Sequence, residues 1–174
     1  MLQGTIITEI ENGSLNWLIS NPVSRRNVIL AKFTSNFVNL VIFSSFIPSI
    51  TLIIVLYILT GVLIPVHLIL IPLFFNVLLI GFYTSFLILL GTVFNSRIIV
   101  LVLSFGLAQS SGLIGFIEPL YKLVIDYTPM SLGAQSLIFV LKEEIINFTP
   151  IISTISLSII MLIAAIWIFD RKEF

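Results

Sequence analysis

The chain has 174 residues, of which 59% are hydrophobic and 9% are charged, and its mean hydropathy is +1.22. Soluble globular chains carry about 25% charged residues, so this composition excludes a soluble domain and indicates a protein solvated mainly by lipid. The formal net charge of zero argues against nucleic acid as a partner, because binding to phosphates needs a basic surface. The absence of cysteine excludes disulfides, thiolate metal sites and a cysteine nucleophile.

Residues 1–33 are predicted to form a cytoplasmic segment that precedes a transmembrane domain, residues 34–174. Within this segment Leu15, Leu18 and Ile19 fall at helical spacing. They predict a short amphipathic helix that lies at the cytoplasmic face of the membrane.

The residues after this helix predict a rigid elbow. Pro22 ends the amphipathic helix, because the residue before a proline avoids helical dihedral angles. Ser24 is predicted to cap a second helix, which begins at Arg25 and leads into the first span. On physical grounds alone, the segment fits an interfacial anchor on acidic lipids as well as it fits a docking element for a partner.

No charged residue occurs from position 33 to position 96. About 20 apolar residues cross a bilayer, so this run predicts two spans, at about 34–60 and 66–94. Gly61 and Pro65 mark the break between them.

The second half of the chain predicts two more spans, at about 98–117 and 150–169. Between them, residues 118–147 are too apolar for a plain loop and are interpreted as a short external helical pair. Thr128 and Pro129 predict the start of its second helix, as N-cap and first helical residue. The expected fold is an all-α integral membrane protein with four transmembrane helices.

The distribution of Lys and Arg predicts the orientation. With residues 1–33 inside, six of the eight basic residues fall on the cytoplasmic side, as the positive-inside rule requires. Both termini are then cytoplasmic, and we expect a multi-pass protein of a prokaryotic plasma membrane. The inner set is Arg25, Arg26, Lys32, Arg97, Arg171 and Lys172, and the outer set is Lys122 and Lys142.

No residue pattern in the chain indicates catalysis. His67, the single histidine, has no second histidine or carboxylate near it in the sequence, so we expect an interfacial position and no metal. The four spans contain no charged residue, which argues against ion-coupled transport. We expect a non-enzymatic protein without a cofactor of its own.

The uncharged polar residues inside the spans have two interpretations. They line a pathway or they join helices through hydrogen bonds, and the second role is the commoner. Pro48 and Pro72 are predicted to kink their spans, either as hinges or as static bends. The polar set is Asn36, Asn39, Ser44, Ser45, Asn76, Tyr83, Thr84, Ser85, Gln109 and Ser110.

Small residues recur at three- and four-residue spacing in the third span. They predict a smooth face for close helix packing, which is a common feature of membrane helices. The set is Ser104, Ala108, Gly112 and Gly115.

The order of residues from 11 to 32 resembles the cytoplasmic coupling segment of type-2 ATP-binding-cassette (ABC) exporter permeases. The family pattern is a Glu, then Gly-Thr/Ser-Leu, a Leu, Pro-Val-Ser-Arg, and a Lys that opens the next span. The matching residues are Glu11, Gly13-Ser14-Leu15, Leu18, Pro22-Val23-Ser24-Arg25 and Ile29-Leu30-Ala31-Lys32.

The resemblance implies a permease subunit whose coupling helix docks on a separate ABC ATPase subunit and transmits its closure to the spans. ATP would be used by that partner, and a second permease copy or a related permease would complete the transporter. The ATPase-coupling residues that it implies are Glu11, Gly13, Leu15, Leu18, Pro22, Val23, Ser24 and Arg25.

Permeases of this family have six spans, with the coupling segment between the second and the third. We therefore expect this chain to correspond to the later two-thirds of a permease, with the N-terminal two-span half as a further partner. The alternative is a non-transporting four-span scaffold or an immunity-type membrane protein. The sequence leaves the substrate open.

Overall fold

The computed structural model describes residues 24–63, 65–94, 96–114, 127–142 and 147–171. These residues form helices and their connections, with no strand among them, which confirms the predicted all-α class. The predicted amphipathic helix before residue 24 lies outside the described residues. The elements are α1 (Arg25–Leu40), a π-helical turn (Val41–Phe46), α2 (Ile47–Thr60), α3 (His67–Val93), α4 (Arg97–Ile114), α5 (Ser131–Lys142) and α6 (Thr149–Arg171).

Helix α1, the π-helical turn and α2 follow one another without a break. At about 1.5 Å per residue, together they extend over roughly 50 Å, more than the hydrocarbon core of a bilayer. Helix α2 ends where Gly61 adopts a φ of 67° and donates its amide to the carbonyl oxygen of Tyr57 at 2.9 Å. A residue with a Cβ is strained at this φ, so glycine is the residue that suits this position. Gly61 is also one of the two residues that mark the predicted break between the first two spans.

In the described part of the chain, three helices are long and apolar enough to cross a membrane: Arg26–Thr60, His67–Val93 and Thr149–Arg171. Helix α4 contributes a shorter apolar helix, Arg97–Leu107. The number of four spans and their exact limits therefore stay a prediction.

Helix α3 lies at the centre of the packing. Helix α6 packs along it over the longest contact, and α1, α4 and α5 also touch it. Helix α5 lies near the start of α3, where the rings of His67 and Phe139 meet edge to face at 6.5 Å. The outer faces carry exposed Ile, Leu, Val and Phe, as expected of surfaces in lipid.

Helix α5 begins later than the sequence predicts. The carbonyl oxygen of Thr128 accepts hydrogen bonds from the amide and the hydroxyl of Ser131, at 3.2 and 2.8 Å. The hydroxyl of Thr128 is buried and caps no helix, since the structure gives it no hydrogen-bond partner. The prediction of Thr128 as N-cap and Pro129 as first helical residue is thus wrong, because a turn precedes the helix and Ser131 begins it.

Candidate functional site

Most residues of the predicted coupling segment lie outside the described part of the chain. These are Glu11, Gly13, Leu15, Leu18, Pro22 and Val23. Ser24 and Arg25 are described, and they form the start of α1. The site that the structure describes therefore begins where the predicted coupling segment ends.

Ser24 caps α1, as the sequence predicts. Its backbone is extended, with φ −64° and ψ 139°, and its hydroxyl oxygen accepts a hydrogen bond from the amide of Asn27 at 3.4 Å. The Ser24 carbonyl oxygen accepts from the same amide at 2.9 Å. A helix start leaves amides unpaired, and this cap satisfies one of them. Helix α1 thus has a defined first turn directly after the predicted coupling segment.

The second turn of α1 packs into the bundle. Ile29 is fully buried and packs with Ile88 of α3 and with Ala165 and Phe169 of α6. Phe33, one turn further along α1, packs against the same cluster. We call this cluster the α1 anchor. Through this cluster the start of α1 is in packing contact with both α3 and α6.

An ion pair joins α1 and α6 at the same end of the bundle. The Nε atom of Arg26 donates to Oδ2 of Asp170 in the last turn of α6, at 3.2 Å. The guanidinium of Arg171 lies 3.9 Å from the ring centre of Trp167, in cation–π geometry. Trp167 is exposed, as expected of a tryptophan at interface depth. The start of α1 and the end of α6 therefore lie together at one face of the bundle.

A π-helical turn interrupts the long first helix just before Pro48. The amide of Ile47 donates to the carbonyl oxygen of Ile42, five residues earlier, where an α-helix bonds four residues earlier. Pro48 has no amide hydrogen, so the carbonyl of Ser44 lacks its regular helical donor. The proline and the wide turn together form an irregular segment in mid-helix, and such segments are common at functional sites.

A side-chain hydrogen bond joins this irregular segment to α3. The Nδ2 atom of Asn76 donates to the hydroxyl oxygen of Ser45 at 2.8 Å. Ser45 is buried, whereas its neighbour Ser44 is exposed. The bond matches the predicted role of polar residues as links between helices.

Other hydroxyl groups in the spans bond within their own helix. Thr84 and Ser85 donate to carbonyl oxygens four residues earlier in α3, and Thr154 does the same in α6. These bonds satisfy the hydroxyls without a partner helix. Thr84, Ser85 and Thr154 are thus buried without forming a polar path of their own.

A groove of about 460 Å³ opens beside the Ser45–Asn76 pair, between α2, α3 and α5. Most of its wall is leucine, isoleucine and valine, and among the residues that the structure describes no charged one lines it. Ser49, Asn76 and Ser136 supply polar side chains, one from each helix. Its volume lies in the range of about 300 to 1,000 Å³ that is typical of small-molecule sites.

Both span prolines lie close to this groove. Pro72 lies within α3 and lines the groove. Because Pro72 has no amide hydrogen, the carbonyl oxygen of Leu68 lacks its regular helical donor. Leu68 also lines the groove. Helix α3 continues through Pro72, so the proline does not end it.

The predicted small-residue face of α4 is described only in part. Gly115 lies outside the described residues, and Ala108 and Gly112 are placed on α4. Ser104 is half-buried and donates to the carbonyl oxygen of Leu101 at 2.9 Å. The fully buried contact of α4 with α3 is made by Val100, one turn before Ser104 on the same face. The packing role of the four small residues stays a prediction.

Sequence reasoning did not find the α1 anchor, the π-helical turn or the groove. Pro48 is the one local signal for the irregular helix, and by itself it predicts only a kink. No signal marks Ile29 or Phe169, because both stand among other apolar residues. Asn76 and Ser45 stand out as polar residues in apolar spans, but their pairing depends on how two helices are rotated against each other.

The chain matches a family model over nearly its whole length. The model of the ABC-2 family transporter proteins matches residues 3–174. No curated protein and no solved structure matches the chain.

Proposed function

The chain belongs to the ABC-2 family of transporter proteins, and on this premise we propose that it is the permease subunit of an ABC exporter driven by a separate ATPase subunit. Family membership makes the chain a multi-pass membrane component of an ABC transporter, for which an ABC ATPase is the general partner. The coupling to that ATPase, the direction of transport and a second permease as dimer partner belong to the proposal. So do the plasma membrane and the cytoplasmic termini.

The observation that carries the coupling proposal is the α1 anchor. Ser24 caps α1 immediately after the predicted coupling segment, and Ile29 is buried against α3 and α6 little more than one turn later. A segment moved by ATPase closure would therefore act on a helix that cannot shift alone. The displacement passes into α3 and α6 through packed side chains, which transmit strain because protein interiors compress little.

The long first helix then carries the displacement toward the groove. Its α-helical ends are regular, whereas Val41–Phe46 forms the π-helical turn. We expect bending or rotation to concentrate there, since the hydrogen bonding is irregular beside Pro48. Ser45 lies in this turn and bonds to Asn76, so the movement reaches the wall of the groove.

The test uses the apolar stripe of the predicted coupling helix. Leu18→Asp places a carboxylate in a contact that excludes water, which is strongly unfavourable. Ser20→Asp adds the same charge on the opposite side of that helix and is the matched control. We expect Leu18→Asp to insert normally but to lose co-purification with an ABC ATPase and stimulation of its ATP hydrolysis in vesicles.

Ser20→Asp should retain both properties. If the two variants behave like the unmodified chain, the coupling assignment is wrong. If the unmodified chain inserts but neither binds nor stimulates an ABC ATPase, the non-transporting scaffold becomes the better interpretation.

A further inference from the structure

The groove between α2, α3 and α5 holds a polar group with unused hydrogen-bonding capacity. The Asn76 carboxamide donates one N–H to the hydroxyl oxygen of Ser45. Within the described part of the chain, its Oδ1 atom accepts no hydrogen bond, although Asn76 lines the groove. A carbonyl oxygen without a donor is costly in lipid, where no water replaces the missing bond.

The depth of Asn76 restricts what can supply that donor. It is nine residues beyond His67, which places it about 14 Å along α3 from the start of that helix. With His67 at its predicted position in the membrane interface, Asn76 lies close to the middle of a hydrocarbon core about 30 Å thick. A zwitterionic lipid headgroup stays at the membrane surface and does not reach this depth.

The wall of the groove restricts the rest of the molecule that binds there. It is lined by apolar side chains such as Leu52, Ile53 and Leu79, without a charged residue. A neutral aliphatic chain fits such a wall, whereas an ionic group would be left without a counter-charge.

We propose that this groove binds a neutral single-chain amphiphile from the bilayer, whose hydroxyl or amide group donates a hydrogen bond to Oδ1 of Asn76. The chain of the amphiphile lies along α2 and α3 under α5. The inference concerns binding and goes beyond the proposed coupling to an ATPase. The binding proposal can therefore be right or wrong independently of that coupling.

The test is photolabelling of the full chain in lipid nanodiscs without an ATPase. The probe is cetyl alcohol that carries a diazirine in its chain, and labelled residues are identified by mass spectrometry. We expect labels on groove residues, with unlabelled cetyl alcohol competing and its methyl ether competing at least about threefold less well. That ratio corresponds to the loss of one interhelical-type hydrogen bond in a membrane.

Three substitutions test the role of Asn76 as the hydrogen-bond acceptor in the groove. Asn76→Leu removes the acceptor and should lower groove labelling at least about threefold, whereas Asn39→Leu, at an exposed position of α1, should not. Ser45→Ala removes the structural partner of Asn76 but keeps its Oδ1 atom, so labelling should persist.

Gly133 provides a position from which a larger side chain can occupy the groove. It lines the groove, and a Cβ added there meets no atom within 4 Å. Gly133→Leu should therefore fill the groove and abolish its labelling, while Gly106→Leu, which is equally open but on α4, should leave labelling unchanged. Labels spread evenly over the outer helix faces, equal competition by the ether, or full labelling of Asn76→Leu would each overturn the proposal.

Discussion

Arg26 and Asp170 join the start of α1 to the end of α6, with Nε of the arginine 3.2 Å from Oδ2 of the aspartate. The two residues are 144 positions apart in the sequence. The Arg26 side chain is 72% exposed, so water and salt screen the pair and its contribution to stability is small. Its effect is to hold the first turn of α1 beside the last turn of α6.

Reversal of both charges tests this pair. Arg26→Asp and Asp170→Arg should each lower the thermal unfolding temperature slightly, and the double variant should recover most of the loss. We expect a coupling energy below about 1 kcal/mol that decreases at high salt. A coupling of several kcal/mol, or one that salt leaves unchanged, would contradict the exposed geometry.

Truncation of Phe169 tests the α1 anchor. Phe169 is 1% exposed, and Phe169→Ala leaves a cavity between α1, α3 and α6. We expect a loss of about 2 kcal/mol in unfolding free energy, less than in a water-soluble core because the burial from water is already provided by the membrane.

Ile163→Ala is the control on the same helix, since Ile163 is 61% exposed on the lipid side. Thermal or denaturant unfolding in one detergent compares the two variants. Equal losses of unfolding free energy would mean that Phe169 in the α1 anchor contributes no more to stability than a lipid-facing residue does.

Gly81 allows α1 and α3 to approach closely. A Cβ added there lies 3.4 Å from the ring of Phe37, and that ring stacks on Phe33 at 5.7 Å. Gly81→Leu should push α1 away and lower stability by about 1 to 3 kcal/mol through overpacking. A Cβ added at Gly106 meets no atom within 4 Å, so Gly106→Leu should be neutral or slightly stabilising. Unfolding temperatures measure both, and a neutral Gly81→Leu would show that the contact is loose.

Cysteine labelling tests the orientation, because the chain has no cysteine of its own. Leu141 is 79% exposed on α5, and Arg26 lies at the opposite end of the bundle. In intact cells, an impermeant thiol reagent should label Leu141→Cys and should reach Arg26→Cys only after the membrane is opened. The reverse pattern would show that the actual topology is the inverse of the proposed one.

Local signals in the sequence are sufficient for the start of α1 and the end of α2, but not for the start of α5, where a turn follows Thr128. Ser24 and Gly61 act within one turn of their own positions, so a cap and a break can be recognised without knowledge of the packing. The contacts between helices were not accessible in this way. Phe169 lies in a predicted span that is apolar on all sides, and nothing in the composition of that span distinguishes it from residues that face lipid.

The choice between Ser44 and Ser45 shows the same limit at a single position. Both are serines in the middle of a span, and one bonds to Asn76 while the other is exposed. Which of them faces α3 depends on the rotation of the helix, and the π-helical turn changes that rotation. Hydropathy contains no information on this rotation.

The π-helical turn also affects how this helix compares with those of its relatives. A bond from Ile47 to Ile42 encloses one residue more than an α-helical turn does. The faces of α1 and α2 are therefore offset by one residue, as if a single amino acid had been inserted between them. Deletion of Phe43, which is 68% exposed, should remove the wide turn while Ile29 and Ser49 keep their relative orientation. Alignments of relatives that lack the wide turn should accordingly place a one-residue gap between positions 41 and 46.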